Sequence, residues 1–321
     1  MVQKKQTQSS TKHVKKDTFL HQVFRRLRKN KLAMIGGIIF LAFLFVGIFA
    51  NVLAPHDPTA VDVVQRLQPP SAEYWLGTDN MGRCILSRLM SGAQNTLISA
   101  VLVILGIMAV GIPLGLISGY FGGKIDNLIM RAADIVSAFP SSLLALAVVS
   151  VFGSSVWNVM LVLVALWWAP FARILRSEIL KIKEKTFVQA AEASGSSKLK
   201  IIVSHVLLNS ISSMIVYLTL RFAAVIMHIA AFSFIGLGTQ PPAADWGVML
   251  SDAKEFISTS PMLLVWPGAA IMIVVFSLNM FGEGLNEALK PAMSEGARAE
   301  IGEVNGKKWM KKAKAFFQSE T

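Results

Sequence analysis

The chain has 321 residues, 54% of them hydrophobic and 16% charged, with a net charge of +12 and a mean hydropathy of +0.56. Soluble domains carry roughly a quarter charged residues, so this chain lacks the charge needed to cover a water-facing surface, and the composition points to a polytopic membrane protein. A disordered chain is excluded by the same hydrophobicity, and a disulfide scaffold by the single cysteine, Cys84.

The excess charge lies at the start. Residues 1–31 hold ten Lys or Arg against Asp17 alone, a local charge of +9. The 23 residues from Leu32 to Ala54 then carry no charge, enough to cross a hydrocarbon core of about 30 Å. A basic block before an apolar span holds that end in the cytoplasm. A cleaved signal peptide is the poorer reading, because the apolar run outlasts a signal core of about 7–15 residues. A nucleic-acid arm is poorer still, since the charges lack the regular aromatic interleaving of a strand-binding segment, and no nucleic-acid partner is expected.

Five further spans are predicted at Thr96–Tyr120, Ile135–Phe152, Val156–Phe171, Val206–Leu237 and Pro261–Phe281, making six in all. Pro55–Asn95 reads as an outward loop and elbow, 96–290 as a five-helix core, and 291–321 as a basic cytoplasmic tail. The loops expected outside, Pro55–Asn95 and Gly238–Ser260, carry four basic and seven acidic residues, whereas the inward segment Ala172–His205 carries seven basic and three acidic. That bias has the sign of the positive-inside rule and places both termini in the cytoplasm. The expected fold is all-α.

The six apolar cores contain no Asp or Glu, the residues by which carriers and pumps bind protons or cations; Asp134 and Glu283 sit near span ends. No zinc helix of the His-Glu-x-x-His type, Gly-x-Ser-x-Gly element or cysteine cluster occurs, so no catalytic role is expected. The nearest approach to a phosphate loop, Gly302 to Lys308, is one residue short between its glycines and lacks the Mg-ligating hydroxyl. If ATP drives this protein, another subunit hydrolyses it.

The inward stretch Phe187–Asn209 is the most informative. Val188 to Glu192 reads as a short helix showing Ala190 and Ala191, Gly195 among serines makes a turn, and Leu199, Ile202 and Val206 resume an apolar face. Such a unit suits a partner's groove, or it is an ordinary hairpin joining two spans.

The segment resembles the Glu-Ala-Ala loop of binding-protein-dependent ABC importers, and residues 25–290 are similar to the dipeptide/oligopeptide/nickel permease family. The family's Glu-Ala-Ala, three residues, then Gly falls on Gln189, Ala190, Ala191 and Gly195, with Gln189 in place of the usual Glu and Leu208 where Pro is common. Further matching elements are Trp75 to Arg88, with Cys84 replacing an Asp; Gly115 to Gly123 with Asp126; Arg131, Asp134 and Phe139-Pro140; and Ser233 to Gly238 followed by Gln240-Pro241-Pro242 and Asp245-Trp246-Gly247. The resemblance implies a type I ABC importer permease with six transmembrane helices. Its coupling helix would lie near 187–200, with Gln189, Ala190, Ala191, Glu192 and Gly195 as ATPase-coupling residues. It implies a second homologous permease, two ATP-binding subunits carrying ATP and Mg, an extracellular solute-binding protein and the lipid bilayer as partners, with no cofactor on this chain. The transported solute is expected to be nickel or a metal chelate, or a di- or oligopeptide; an ATP-independent channel or secondary carrier is the rival class.

The fifth span carries Arg221 and His228, seven residues and about 10 Å apart on one helix face. Ser210, Ser213 or Met214, and Tyr217 continue the stripe. A charge near mid-bilayer costs at least about 2.5–3.5 kcal/mol and normally faces a bundle interior or wet cavity. Arg221 is thus either an anchor on backbone carbonyls or a cation drawing an anionic solute. His228 is either a packed histidine or a transient metal contact, and the run Met227 to Gly236 resembles the nickel branch of the family. Pro113, Pro140 and Pro267, in or beside spans, bend helices and free carbonyls.

Overall fold

A computed structural model describes residues 19–289; the 291–321 tail and most of the basic N-terminal block lie outside them. Among the described residues the only β-pairing is an isolated bridge between Thr78 and Cys84. The helices run α1 (Phe19–Leu27), α2 (Lys31–Ile48), α3 (Ala50–Leu53), α4 (Ile85–Phe121), α5 (Gly123–Ser137), α6 (Ser141–Phe152), α7 (Val156–Lys183), α8 (Thr186–Ala193), α9 (Lys198–Ile201), α10 (Leu208–Phe234), α11 (Trp246–Ala253) and α12 (Met262–Leu289). Ile202–Leu207 joins α9 to α10 as a π-helical segment.

Five helices are long and apolar enough to cross a membrane: α2, α4, α7, the continuous α9–α10 unit and α12. The span expected at Ile135–Phe152 is instead a broken pair, α5 and α6, bent by 81°; counted as one, it is the sixth. The break falls at Pro140, whose ring disfavours helical geometry in Phe139 and which itself caps α6. Other helices outrun the lengths expected from hydropathy. The second starts at Ile85 inside the assigned outer loop, and the fourth passes through Pro170 to Lys183.

In a bilayer, apolar side chains gain nothing by leaving lipid for protein, so helices associate where small residues let backbones approach. The central α4–α7 seam shows this. Gly111, Gly115 and Gly119 recur every four residues on α4, and a Cβ at any of them would press on Phe171, Leu175 or Ile179 of α7. Gly36 and Gly284 do the same where α2 crosses α12. The outward face of α2 exposes Leu32, Ile35, Ile38, Leu41, Phe45 and Ile48, as a lipid-facing helix does.

The two ends of the described chain share one side. Asn30 caps α2 by accepting from Ala33 N–H and donates to Glu287 near the end of α12, 3.0 Å away. On the opposite side, the 55–84 loop is fastened to α11 by buried ions. Asp79 Oδ2 takes Arg83 Nε at 2.7 Å and Arg88 Nε at 3.3 Å, while both guanidiniums also reach Asp252, at 3.2 and 3.5 Å. Arg88 is 1% exposed and Arg83 2%. Cys84, in the midst of this turn, is buried and unpaired. Trp246, fully buried at the head of α11, donates its indole N–H to Leu89 O and meets Phe43 edge-on. Ser233 bonds both Asp245 Oδ2 and the Thr239 N–H, which folds the Ser233–Gly238 element back onto α11.

Candidate functional site

Two regions carry the residues singled out by sequence. The first is the connection from α7 to α10. Val188 is the only fully buried side chain of α8 and pins it to the bundle, with Ala191 half-buried beside it. Phe187, Gln189, Ala190 and Glu192 face outward. Gly195 adopts φ +73°, closes the turn after α8, and has no neighbour within 4 Å of a notional Cβ. The residue there is glycine for the sake of the backbone, since the left-handed conformation costs an L side chain about 1–2 kcal/mol. Ser197 caps α9 through the Lys200 N–H.

The expected apolar face keeps Val206 and, half-buried, Ile202, but differs at Leu199. Leu199 is 72% exposed, while Ile201 and Val206 are buried. These last two are five residues apart, one π turn, so the π segment replaces the α spacing that would have put Leu199 inward. Phe187 and Leu199 therefore add apolar surface to an exposed unit already lined with alanine.

A clamp positions this unit. The end of α4 supplies the Tyr120 hydroxyl, which faces Glu192 at 3.4 Å; Lys183, at the end of α7, donates to Tyr120 O at 2.8 Å and lies 5.2 Å over its ring. Gly122 and Gly123, both at positive φ, turn the chain into α5. There Asp126 accepts from Ser118 on α4 and from both sides of the Arg176 guanidinium on α7. This three-helix tie fixes the place where α7 leaves the bundle. Asp126→Asn is expected to cost about 1–3 kcal/mol, because a hydrogen-bonded charge is lost from a buried site; thermal unfolding of the purified protein measures it, and an unchanged midpoint would make the tie incidental.

The second region is a polar track between α7 and α10. Arg221, midway along α10, donates to the Tyr217 hydroxyl at 2.8 Å. Its guanidinium carbon lies 4.8 Å from the Trp167 ring centre and 5.1 Å from that of Tyr217. Trp167 also meets His228 edge-on at 4.7 Å, so one α7 indole lies between the two polar residues of α10. Phe171 stacks on Tyr217 at 5.7 Å. His228 Nδ1 is 2.9 Å from Ala224 O; a carbonyl only accepts, so Nδ1 is the donor of this bond. Ser213 is partly buried on the same helix, but among the described residues no hydrogen bond joins it to the cluster. Ser210 turns back to its own helix, bonding the carbonyls of Val206 and Leu207. Among the described residues no group of three or more His, Cys, Asp or Glu side chains is placed to hold a metal ion. Trp167 and Phe171 were not singled out by sequence; their four-residue spacing on α7 was the available signal.

Comparison with known proteins gives the arrangement its context. Residues 111–295 match the family described as binding-protein-dependent transport system inner membrane component, and residues 18–70 match the N-terminal transmembrane domain of oligopeptide transport permease C. The chain is 42% identical over 272 residues to a dipeptide transport system permease protein of Alkalihalophilus pseudofirmus, covering 85% of this chain and 90% of that protein. It is 36% identical to the nickel transport system permease protein of Escherichia coli K12, covering 79% of this chain and 92% of that one. A glutathione transport system permease protein of Escherichia coli O157:H7 is 38% identical, over 84% and 90% of the two chains. An inward-facing structure of the MetNI methionine ABC transporter superimposes with a TM-score of 0.53 at 15% identity, covering 64% of this chain and 98% of that one, which shows a shared fold. The chain therefore belongs to the binding-protein-dependent transport system inner membrane component family, the multi-pass and non-catalytic permease subunits of ABC importers.

Proposed function

We propose that this subunit forms half of a translocation pore with a second, homologous permease, and couples it through α8, Gly195 and α9 to a separate ATP-binding subunit. The complete importer would hold two such ATPases, loaded with ATP and Mg, and an extracellular solute-binding protein. The observation that carries the reading is the exposed α8–α9 unit, with Phe187, Ala190 and Leu199 outward and Val188 anchored, on the side where α1 and the end of α12 meet. A short helix pinned at one residue, and joined by a tight turn to a second that is continuous with a pore helix, transmits displacement from a groove in which it lies. The charge bias of the loops supports a cytoplasmic position for that side, and with it for both termini.

The α10 stripe of Tyr217, Arg221 and His228, with Ser213 one turn below, would face the pore, where a charge at mid-membrane depth finds water or solute instead of lipid. The solute class is bounded by the relatives, named for dipeptide, nickel and glutathione transport. Arg221 disfavours a bare divalent cation, so a short peptide or a ligand-wrapped metal fits the track better than a free metal ion.

The test is purification of the tagged chain from membranes of its native host. The expected result is recovery of a second permease and an ATPase, whose hydrolysis rises when loaded binding protein is added. Recovery of this chain alone, still conducting solute without ATP, would establish the channel or carrier class instead.

A further inference from the structure

We propose that Arg221, framed by Trp167 and Tyr217, is a transient seat for a carboxylate on the transported solute, so that the importer carries small solutes with a free carboxylate, short peptides foremost. This rests on the importer reading above and names its solute class.

Four observations converge on it. The guanidinium is near the middle of a membrane-spanning helix, where an unmatched charge is costly. Among the described residues it has no carboxylate partner, and it donates to no backbone carbonyl, the arrangement an anchor would show. Its single hydrogen bond goes to the Tyr217 hydroxyl, which leaves most of its five N–H donors unspent. The ring faces of Trp167 and Tyr217 attract the cation without consuming those donors, so they hold the group in place while its fork stays open. A planar fork with free donors matches a carboxylate in a two-point contact.

The rest of the track suits the other end of such a solute. His228, tied through Nδ1 to Ala224 O, lies about 10 Å along the helix axis from Arg221, roughly the span of three extended residues. An imidazole nitrogen there lies within reach of the other end of a solute whose carboxylate the guanidinium holds. The rings between them, Trp167 above all, offer an apolar wall that is tolerant of side-chain identity, as a peptide importer with a separate selectivity protein requires.

The experiment uses the complete importer, purified from the native host and reconstituted in proteoliposomes, with tri-alanine as the carboxylate probe and nickel ion as the competing one. Wild type, Arg221→Gln and Arg221→Lys are compared for ATP-driven uptake, for ATP hydrolysis stimulated by binding protein, and for assembly on native gels. The expected result is a loss of tri-alanine uptake of about tenfold or more in the Gln variant, with assembly and stimulated hydrolysis retained. The Lys variant, which keeps the charge and loses the fork, is expected roughly threefold below wild type. Unchanged uptake in the Gln variant overturns the seat, and so does failure of that variant to assemble, which would make Arg221 a structural anchor. Wild-type uptake of nickel ion without tri-alanine overturns the solute class while leaving the importer reading intact. Hydrolysis that never responds to binding protein defeats the importer reading itself.

Discussion

Gly195→Val is expected to abolish the stimulation of ATP hydrolysis by loaded binding protein and to lower uptake by roughly tenfold or more, with the subunit still folded in the membrane. Gly195 sits at φ +73°, and a left-handed backbone costs an L residue about 1–2 kcal/mol. That is on the order of a tenfold bias against the turn that sets α9 against α8. Space is not the issue, because a Cβ there meets no atom within 4 Å. Asparagine, the side chain best able to visit this region, should therefore retain much of the coupling where valine loses it. Hydrolysis in nanodiscs with and without binding protein measures both variants. Equal stimulation in wild type and the valine variant would reduce the turn to a linker.

The largest loss of stability is expected on the other side of the bundle. Asp79 Oδ2 serves Arg83 and Arg88 together, and both arginines are almost wholly buried. Asp79→Asn keeps the shape and leaves Asp252 as the carboxylate paired with both guanidiniums, with the Pro58 carbonyl also on Arg88. Breaking a buried pair from one partner costs about 3–5 kcal/mol, since the remaining charge stays desolvated. The midpoint of thermal unfolding should fall accordingly. The double variant Asp79→Asn, Arg88→Met should recover part of the loss by removing the stranded charge. If the double variant is no better than the single one, the carboxylate acts through its other bonds, which cap the turn at the N–H groups of Met81 and Arg83.

Much of this architecture is legible in the sequence, and the misses share a cause. Charge-free runs bounded by basic clusters locate the membrane helices, because hydropathy responds to depth in the bilayer. It does not respond to where a helix ends. Thus α4 begins at Ile85, within a stretch polar enough to read as loop, and α7 continues past Phe171 into charged residues. The break at Pro140 lies within an apolar run, so hydropathy reads α5 and α6 as parts of a straight span. The glycines at 111, 115 and 119 look like flexibility and turn signals, yet in the folded chain they are the seam against α7. Within the candidate site, the spacing of Tyr217, Arg221 and His228 placed them on one face. The partner of that face, Trp167 on α7, depends on how two helices meet, and no periodicity within one segment encodes that.

The π segment has a further consequence, for the lengths this chain can adopt. Ile202–Leu207 accommodates a five-residue step between Ile201 and Val206, in a rod that otherwise advances by three and four. Loss of a single codon here could be absorbed by reversion to ordinary winding, with the buried side chains above and below still in phase. The same loss a few residues later, within Ser210–Tyr217, would turn everything upstream by about 100° relative to the guanidinium and imidazole beyond it. Length variation among natural homologues of this rod should therefore concentrate at 202–207, and single-residue deletion scanning should find its tolerant window there.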